Sequence, residues 1–194
     1  MRWERPPLHE LAVTLPSWVH SSVSYGRECR SDEERMRLTI RLARENIAHG
    51  TGGPFGAAVF ERESGRLVAV GVNGVVRLNN ATAHAEMLAL QLAQRRIVSY
   101  SLGRDGQGAH ELFTSCAPCS MCLGAVLWSG VSRVVCGAER ADAERIALED
   151  APAFDESYAH LRARGVEIVT GLLRDEARAV LEEYRAKAGP VPHG

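Results

Sequence analysis

Thr114-Ser115-Cys116-Ala117-Pro118-Cys119-Ser120-Met121-Cys122 is the stretch on which the reading of this chain turns. A proline directly precedes Cys119, and a second thiol follows three residues later. Proline at the first position of a helix loses nothing by its missing N–H and fixed φ. Pro118 is therefore expected to open a helix with Cys119 and Cys122 in its first turn. Residues i and i+3 share a helical face, so both sulfurs can reach one point. The positive end of the helix dipole also favours them as thiolates. This is half of a metal site. The other half lies upstream in Ala83-His84-Ala85-Glu86-Met87, which opens an apolar stretch running to Leu92.

Two thiolates and one imidazole make three protein ligands, the number that leaves zinc an open position for water. The thiolate charges offset the dication, and the metal still acidifies the water. Glu86 stands two residues beyond His84. In mid-helix such residues point about 200° apart, so both address one metal only if the helix meets it end-on, with His84 in its first turn. Glu86 then fits a proton carrier rather than a ligand. It would take a proton from water, hand it to a ring nitrogen and then to a departing amine. Hydrolytic deamination of a heteroaromatic amidine needs that sequence, and H-x-E with P-C-x-x-C is the pattern that performs it. A closed structural zinc site on His84, Cys116, Cys119 and Cys122 is the competing arrangement, but it leaves Glu86 without a task. A redox dithiol is a further alternative, and Cys116 is otherwise read as a small buried residue.

The bulk properties agree with one soluble enzyme-sized domain. The chain has 194 residues, 45% hydrophobic and 24% charged, with a net charge of −1 that offers nothing to a polyanion. Three of the five cysteines fall within seven residues, which suits metal binding rather than a disulfide framework. No apolar run is long enough to span a membrane, and Met1 to Pro7 lacks the apolar core of a signal peptide. A reducing, cytoplasmic setting is expected. Cys136 is assigned to the core and Cys29 to the surface.

Along the chain, residues 1–30 read as an N-terminal arm in which Pro6, Pro7 and Pro16 oppose regular structure. Ser31-Asp32-Glu33-Glu34 has the form of a capping box, followed by Met36, Ile40, Ala43 and Ile47 at helical spacing, with Gly50 as stop. Ala57 to Phe60 and Leu67 to Val72 read as a hairpin, Asn73 to Ala81 as a polar loop, and Thr82 as N-cap of a helix over 83–96. Strands are expected at 111–114, 131–136 and 166–170, and helices at 142–148, 154–164 and 174–188. The helical crossover between the last two strands implies that they run parallel. The fold class is α/β: a five-stranded mixed sheet between layers of helices, in one domain over 1–194 that ends in a C-terminal helix and tail over 171–194.

With these residues in view, the sequence resembles the cytidine deaminase-like superfamily of zinc hydrolases, which has a three-layer sandwich. Within it, the resemblance is nearest to the bacterial guanine deaminases. Gly52-Gly53-Pro54-Phe55-Gly56, His84-Ala85-Glu86 and the cysteine motif running on into Leu123-Gly124-Ala125 carry it. The resemblance implies zinc on His84, Cys119 and Cys122 and a proton shuttle in Glu86. It implies Asn73 hydrogen-bonded to a purine, Phe55 packed on the base, and Asp150 as a second acidic group near the exocyclic amine. Glu149 is a neighbour that a one-residue loop shift would exchange with Asp150. Ala85 and Trp128, on the two helices that meet the metal, complete the expected substrate-binding set. Ala117 departs from the glutamate usual before this proline, and Pro190-Val191-Pro192-His193-Gly194 does not match the tail that closes the pocket in well-known members.

The implied reaction is hydrolysis of guanine to xanthine and ammonia by a homodimer, with or without exchange of C-terminal segments, and with neither nucleic acid nor membrane as partner. Three rivals stay open. One is deamination of another small amino-heterocycle such as ammeline, cytosine or a modified guanine. The second is deamination of adenosine in tRNA, and the third a non-catalytic zinc module.

Overall fold

The structure, a computed structural model, describes residues 11–103, 108–145 and 155–187. Its elements, in chain order, are α1 (Ser17–Ser22), α2 (Asp32–Ala48), β1 (Gly56–Glu61), β2 (Leu67–Val72), α3 (Val75–Leu78), α4 (Ala85–Arg96) and β3 (His110–Cys116). They continue with α5 (Ser120–Ser129), β4 (Arg133–Ala138), α6 (Arg140–Glu144), α7 (Asp155–Ala163), β5 (Glu167–Val169) and α8 (Arg174–Ala186). One sheet holds all five strands in the order β2-β1-β3-β4-β5. β1 runs antiparallel to both β2 and β3, and β3, β4 and β5 are mutually parallel. The expected parallel pair at the end of the chain is present. A second one, β3 with β4, is joined by α5 as its crossover.

Alternation along the strands feeds a core on each face. Ala58, Phe60, Phe113 and Val135 point to the side covered by α2 and α8, and Ala57, Val59, Leu112 and Val134 to the side covered by α4, α5 and α7. Two glycines let helix backbones lie directly on strands. A Cβ on Gly56 would stand 2.8 Å from the amide nitrogen of Ala43 in α2, and one on Gly71 would stand 2.6 Å from that of Ala89 in α4.

The start of α2 differs in detail from a full capping box. Ser31 Oγ accepts the N–H of Glu34, but the Glu34 carboxylate takes the N–H of Arg30, one residue before the cap. Pro16 does not exclude structure from the arm, since α1 begins directly after it and buries Val19. The loop after β2 contains the short helix α3. Cys29 is buried at 3% exposure, against the surface position expected, because its segment pairs back on Arg66 and Leu67.

At the N-terminal end of β3, the fully buried Glu111 carboxylate lies between the guanidinium groups of Arg35 and Arg133. Arg133 also grips Asp32 at 2.6 Å, and the Arg35 guanidinium lies 5.8 Å from the Phe60 ring. The network ties α2, β3 and β4 together at the edge of the sheet where β3 begins. Removing one charge from such a buried set strands its partners, at a cost of about 3–5 kcal/mol. Glu111→Gln should lower the unfolding free energy in urea by about that amount while the folded fraction still binds one zinc per chain. The hydrogen bond from Arg133, more than the attraction of Arg133 and Arg35, holds the Asp32 carboxyl below its ordinary value of 3.8. Its contribution is thus present above about pH 4 and lost as pH falls through the folded value. Asp32→Asn should flatten the acid limb of the stability curve measured by urea titration.

Candidate metal centre

β3 ends at Cys116, and the Ala117 N–H bonds the Ala138 carbonyl at the end of β4, at 2.8 Å. The cysteine motif therefore starts at the C-terminal edge of the parallel strands. There it meets the N-terminus of α4. His84 is the N-cap of α4 (φ −69°, ψ 156°) and Cys119 the N-cap of α5 (φ −73°, ψ 171°), and neither side chain is spent on capping.

This shifts both helix starts from those read in the sequence. Thr82 does not cap α4, because its hydroxyl is held by Asn80 Oδ1 at 2.8 Å in the preceding turn. Pro118 lies one residue before the cap rather than at the first helical position. The end-on approach required of His84 and Glu86 is nonetheless met. His84 stands at the N-cap, just outside the first helical turn, and Glu86 follows within that turn.

His84 Nδ1 stands 3.7 Å from Cys119 Sγ and 3.6 Å from Cys122 Sγ, and the three atoms lie within 4.8 Å of one another. A tetrahedral zinc with bonds of about 2.3 Å to sulfur and 2.0–2.1 Å to nitrogen has an N···S edge of roughly 3.6 Å. The donor set and its spacing fit zinc. Cys116 is not part of this group. Its buried thiol, pushed up to about 12 by burial, faces the Glu139 carbonyl at 4.0 Å. The closed four-ligand arrangement is not built.

The Cys122 thiol, with help from His84, holds Cys119 down to about 4. Cys122 itself is pushed up by its bond to Cys119 and by burial. Burial works to lower His84, but Cys119 and Glu86 outweigh it and raise the imidazole. Glu86 is 7% exposed, takes a hydrogen bond from the Cys122 thiol, and has its carboxyl raised by burial. A buried carboxyl raised in this way, touching the ligand cluster, is placed to hold and release a proton there.

The chain beyond β2 leads back to the start of α4. The Asn73 N–H bonds the Phe55 carbonyl at 3.0 Å, and the Gly74 N–H bonds the Ala83 carbonyl at 2.9 Å, one residue before His84. Asn73 Oδ1 accepts the N–H groups of Gly53 (3.3 Å) and Val75 (3.4 Å), so the amide is left with its donor side to offer. Phe55 is half-buried where the two cores meet. Ala85, the first residue of α4, has no exposed surface and lies against Gly71 of β2.

Trp128 is not buried with the ligands. It is 83% exposed at the far end of α5, six residues past Cys122, about 9 Å along the helix axis. The helix begins at the metal, but Trp128 lies nearly two turns away. Asp150, Glu149 and the tail over 190–194 lie outside the described residues.

Two residues near the site were not picked out from the sequence. Asn46 is buried on the apolar side of α2, where its spacing from Thr39 and Ala43 could have shown it. Tyr158 of α7 brings its hydroxyl within 3.5 Å of the Pro118 carbonyl, and nothing in its local sequence signals this.

The family profile described as the cytidine and deoxycytidylate deaminase zinc-binding region matches residues 29–138. Guanine deaminase from Bacillus subtilis (strain 168) is 36% identical over 124 residues, 64% of this chain and 75% of that protein. A tRNA-specific adenosine deaminase from Buchnera aphidicola is 30% identical over 79% of this chain and 93% of its own length. Among solved structures, a guanine deaminase from Nitrosomonas europaea is similar with a TM-score of 0.88 and 44% identity, over 94% of this chain and all of that one. A point mutant solved in complex with 8-azaguanine aligns with a TM-score of 0.89 and 44% identity, over the same shares. The profile covers more than half of the chain, and the chain belongs to the family of cytidine and deoxycytidylate deaminase zinc-binding proteins, as a hydrolytic nucleobase deaminase.

Proposed function

We propose that the enzyme removes the 2-amino group of guanine by hydrolysis, so that guanine and water give xanthine and ammonia. The observation that carries this reading is the similarity to a guanine deaminase over 94% of the chain. The geometry is consistent with it. Guanine offers O6 and N7 as acceptors on the edge away from its 2-amino group. The outward donor of Asn73 suits that edge, and Phe55 beside it offers a ring face for the base.

His84, Cys119 and Cys122 would hold zinc, which when bound acidifies a water and so supplies the nucleophile. Glu86 would take one proton from the attacking water and deliver it to N3 as the C2–O bond forms, then carry the proton of the new C2 hydroxyl to the amine as the C2–N bond breaks. Burial keeps bulk water from the carboxyl and raises it above its ordinary value, which suits it to accept a proton and give it back. Asp150 is the proposed second acidic group at the amine. Five free thiols suit a reducing, cytoplasmic setting, and among the described residues no helix is long and apolar enough to cross a membrane.

A homodimer is part of this reading, and α5 supports it. The helix is apolar on all sides, yet one side faces outward with Trp128 exposed, and a Cβ on Gly124 would meet nothing within 4 Å. An all-apolar helix on a surface calls for a partner. RNA finds less to hold. In α8, Arg178 pairs with Asp175 and Glu182, and Arg174 with Asp142 and Glu139.

Four outcomes are expected. Zinc-loaded enzyme should convert guanine to xanthine with release of ammonia, followed by ultraviolet absorbance. Chelation should abolish this and zinc restore it, and an unchanged guanine spectrum would count against the reading. Because Cys122 must lose its proton to bind metal, zinc loading should release protons into weakly buffered solution, and zinc affinity should weaken as pH falls. Glu86→Gln should keep one zinc per chain and lose turnover by roughly 10³-fold or more. Trp128→Glu should shift the protein from dimer to monomer in light scattering, and a wild-type monomer would remove the dimer from the proposal.

A further inference from the structure

We propose that Asn46, backed by Thr51 and Trp18, is a positioning residue for Asn73, so that the N-terminal arm helps to set how the base is held. The route is continuous. Trp18 Nε1–H donates to Thr51 Oγ1 at 3.0 Å, and the Thr51 hydroxyl donates to Asn46 Oδ1 at 2.7 Å. Asn46 Nδ2 then donates both of its hydrogens, to the Gly53 carbonyl at 2.8 Å and the Asn73 carbonyl at 3.0 Å. The Gly53 N–H returns to Asn73 Oδ1 at 3.3 Å and closes the circuit.

The orientation of each group follows from its neighbours. Asn46 is fully buried, and a flipped amide would set its oxygen against two carbonyl oxygens. The Thr51 hydroxyl has one proton, given to Asn46, and one lone pair filled by Trp18. The direction of every bond from the arm inward is therefore fixed, and its last consequence is an Asn73 amide that turns its donors away from Gly53 and Val75. Gly52 has room for no side chain at this junction, since a Cβ there would stand 2.8 Å from Asn46 Nδ2 and would collide with the Asn73 carbonyl oxygen.

The arm is itself anchored on both sides of the junction. The Trp18 ring stacks on His49 at 5.2 Å between centroids and 11° between planes, and Val19 beside it is fully buried. Arg77 of α3, four residues past Asn73, reaches the Thr14 carbonyl at 2.5 Å and its hydroxyl at 3.2 Å. The substrate half of the inference rests on the guanine reading, whereas the circuit itself does not.

The test uses the full chain, zinc-loaded, with two readouts. Thr51→Val keeps the volume and removes the hydroxyl, and Thr51→Ser restores it. Thr51→Val should raise KM for guanine about tenfold with kcat changed far less, and Thr51→Ser should lie near wild type. In an Asn73→Ala background, Thr51→Val should change KM by less than about twofold, because its route of action is gone. Independently of any substrate, hydrogen exchange at the Gly53 amide should quicken about tenfold in Thr51→Val. Effects on KM that add in the double variant, or an unchanged Gly53 exchange rate with only a lower melting temperature, would overturn the inference. Wild-type enzyme inactive on guanine would sink the substrate reading instead, and the exchange measurement would then decide the circuit alone.

Discussion

The site depends on two helices that end at the same point. A helix N-terminus has unpaired N–H groups and, at the N-cap, a residue just outside its first turn. α4 and α5 each place a metal ligand at that position, and Cys122 adds a third from one turn further on. Because both dipoles point their positive ends at the cluster, negative thiolates and a carboxylate can gather there without mutual repulsion dominating. Cys119 ionises readily while burial raises Glu86, and the bond to Cys119 together with burial raises Cys122, so a cluster that holds one negative charge easily gathers more of it once a dication is added.

Holding two helix ends within a few ångströms demands a frame that does not yield. The parallel crossover β3-α5-β4 fixes one helix, with the Ala117–Ala138 bond as its last rung. The backbone contact of Gly71 with α4 fixes the other, closer than any side chain would permit. At the end of β3 away from the cluster, the Glu111 network ties strand to helix without contributing a group to the chemistry. The charge at that end therefore serves the frame, and the charge at the cluster serves the reaction.

The metal half was legible in the sequence because tetrahedral chemistry needs fixed residue types at short spacing. His84, Cys119 and Cys122 were named from that requirement, and the parallel order of the last two strands followed from connection length. Helix starts were off by one or two residues. Thr82 and Pro118 both carry start signals, but tertiary contacts, not propensity, decide which residue becomes the cap. Trp128 shows a different limit. Periodicity says that a residue lies on an apolar helix, but it does not say which of two apolar sides meets the sheet. Helical spacing could show that Asn46 is buried, but what Asn46 and Gly71 do was illegible for a third reason. Each matters through a partner distant in the chain, Asn73 in one case and Ala85 in the other.

The two halves of the site are held to different tolerances, and this bears on how such a frame can serve different bases. The metal side is constrained by bond lengths that allow variation of about 0.2 Å, so its residues have little freedom. The recognition side rests on hydrogen bonds of 3.3 and 3.4 Å to Asn73 Oδ1 and on a loop held by Asn46. A change in the arm or the 51–54 loop would reach Asn73 first, and His84 only through the Gly74–Ala83 hydrogen bond. α4 packs mainly on β2 and β1, so His84 and Glu86 are carried by the antiparallel half of the sheet and Cys119 and Cys122 by the parallel crossover, and the cluster forms where the two halves meet.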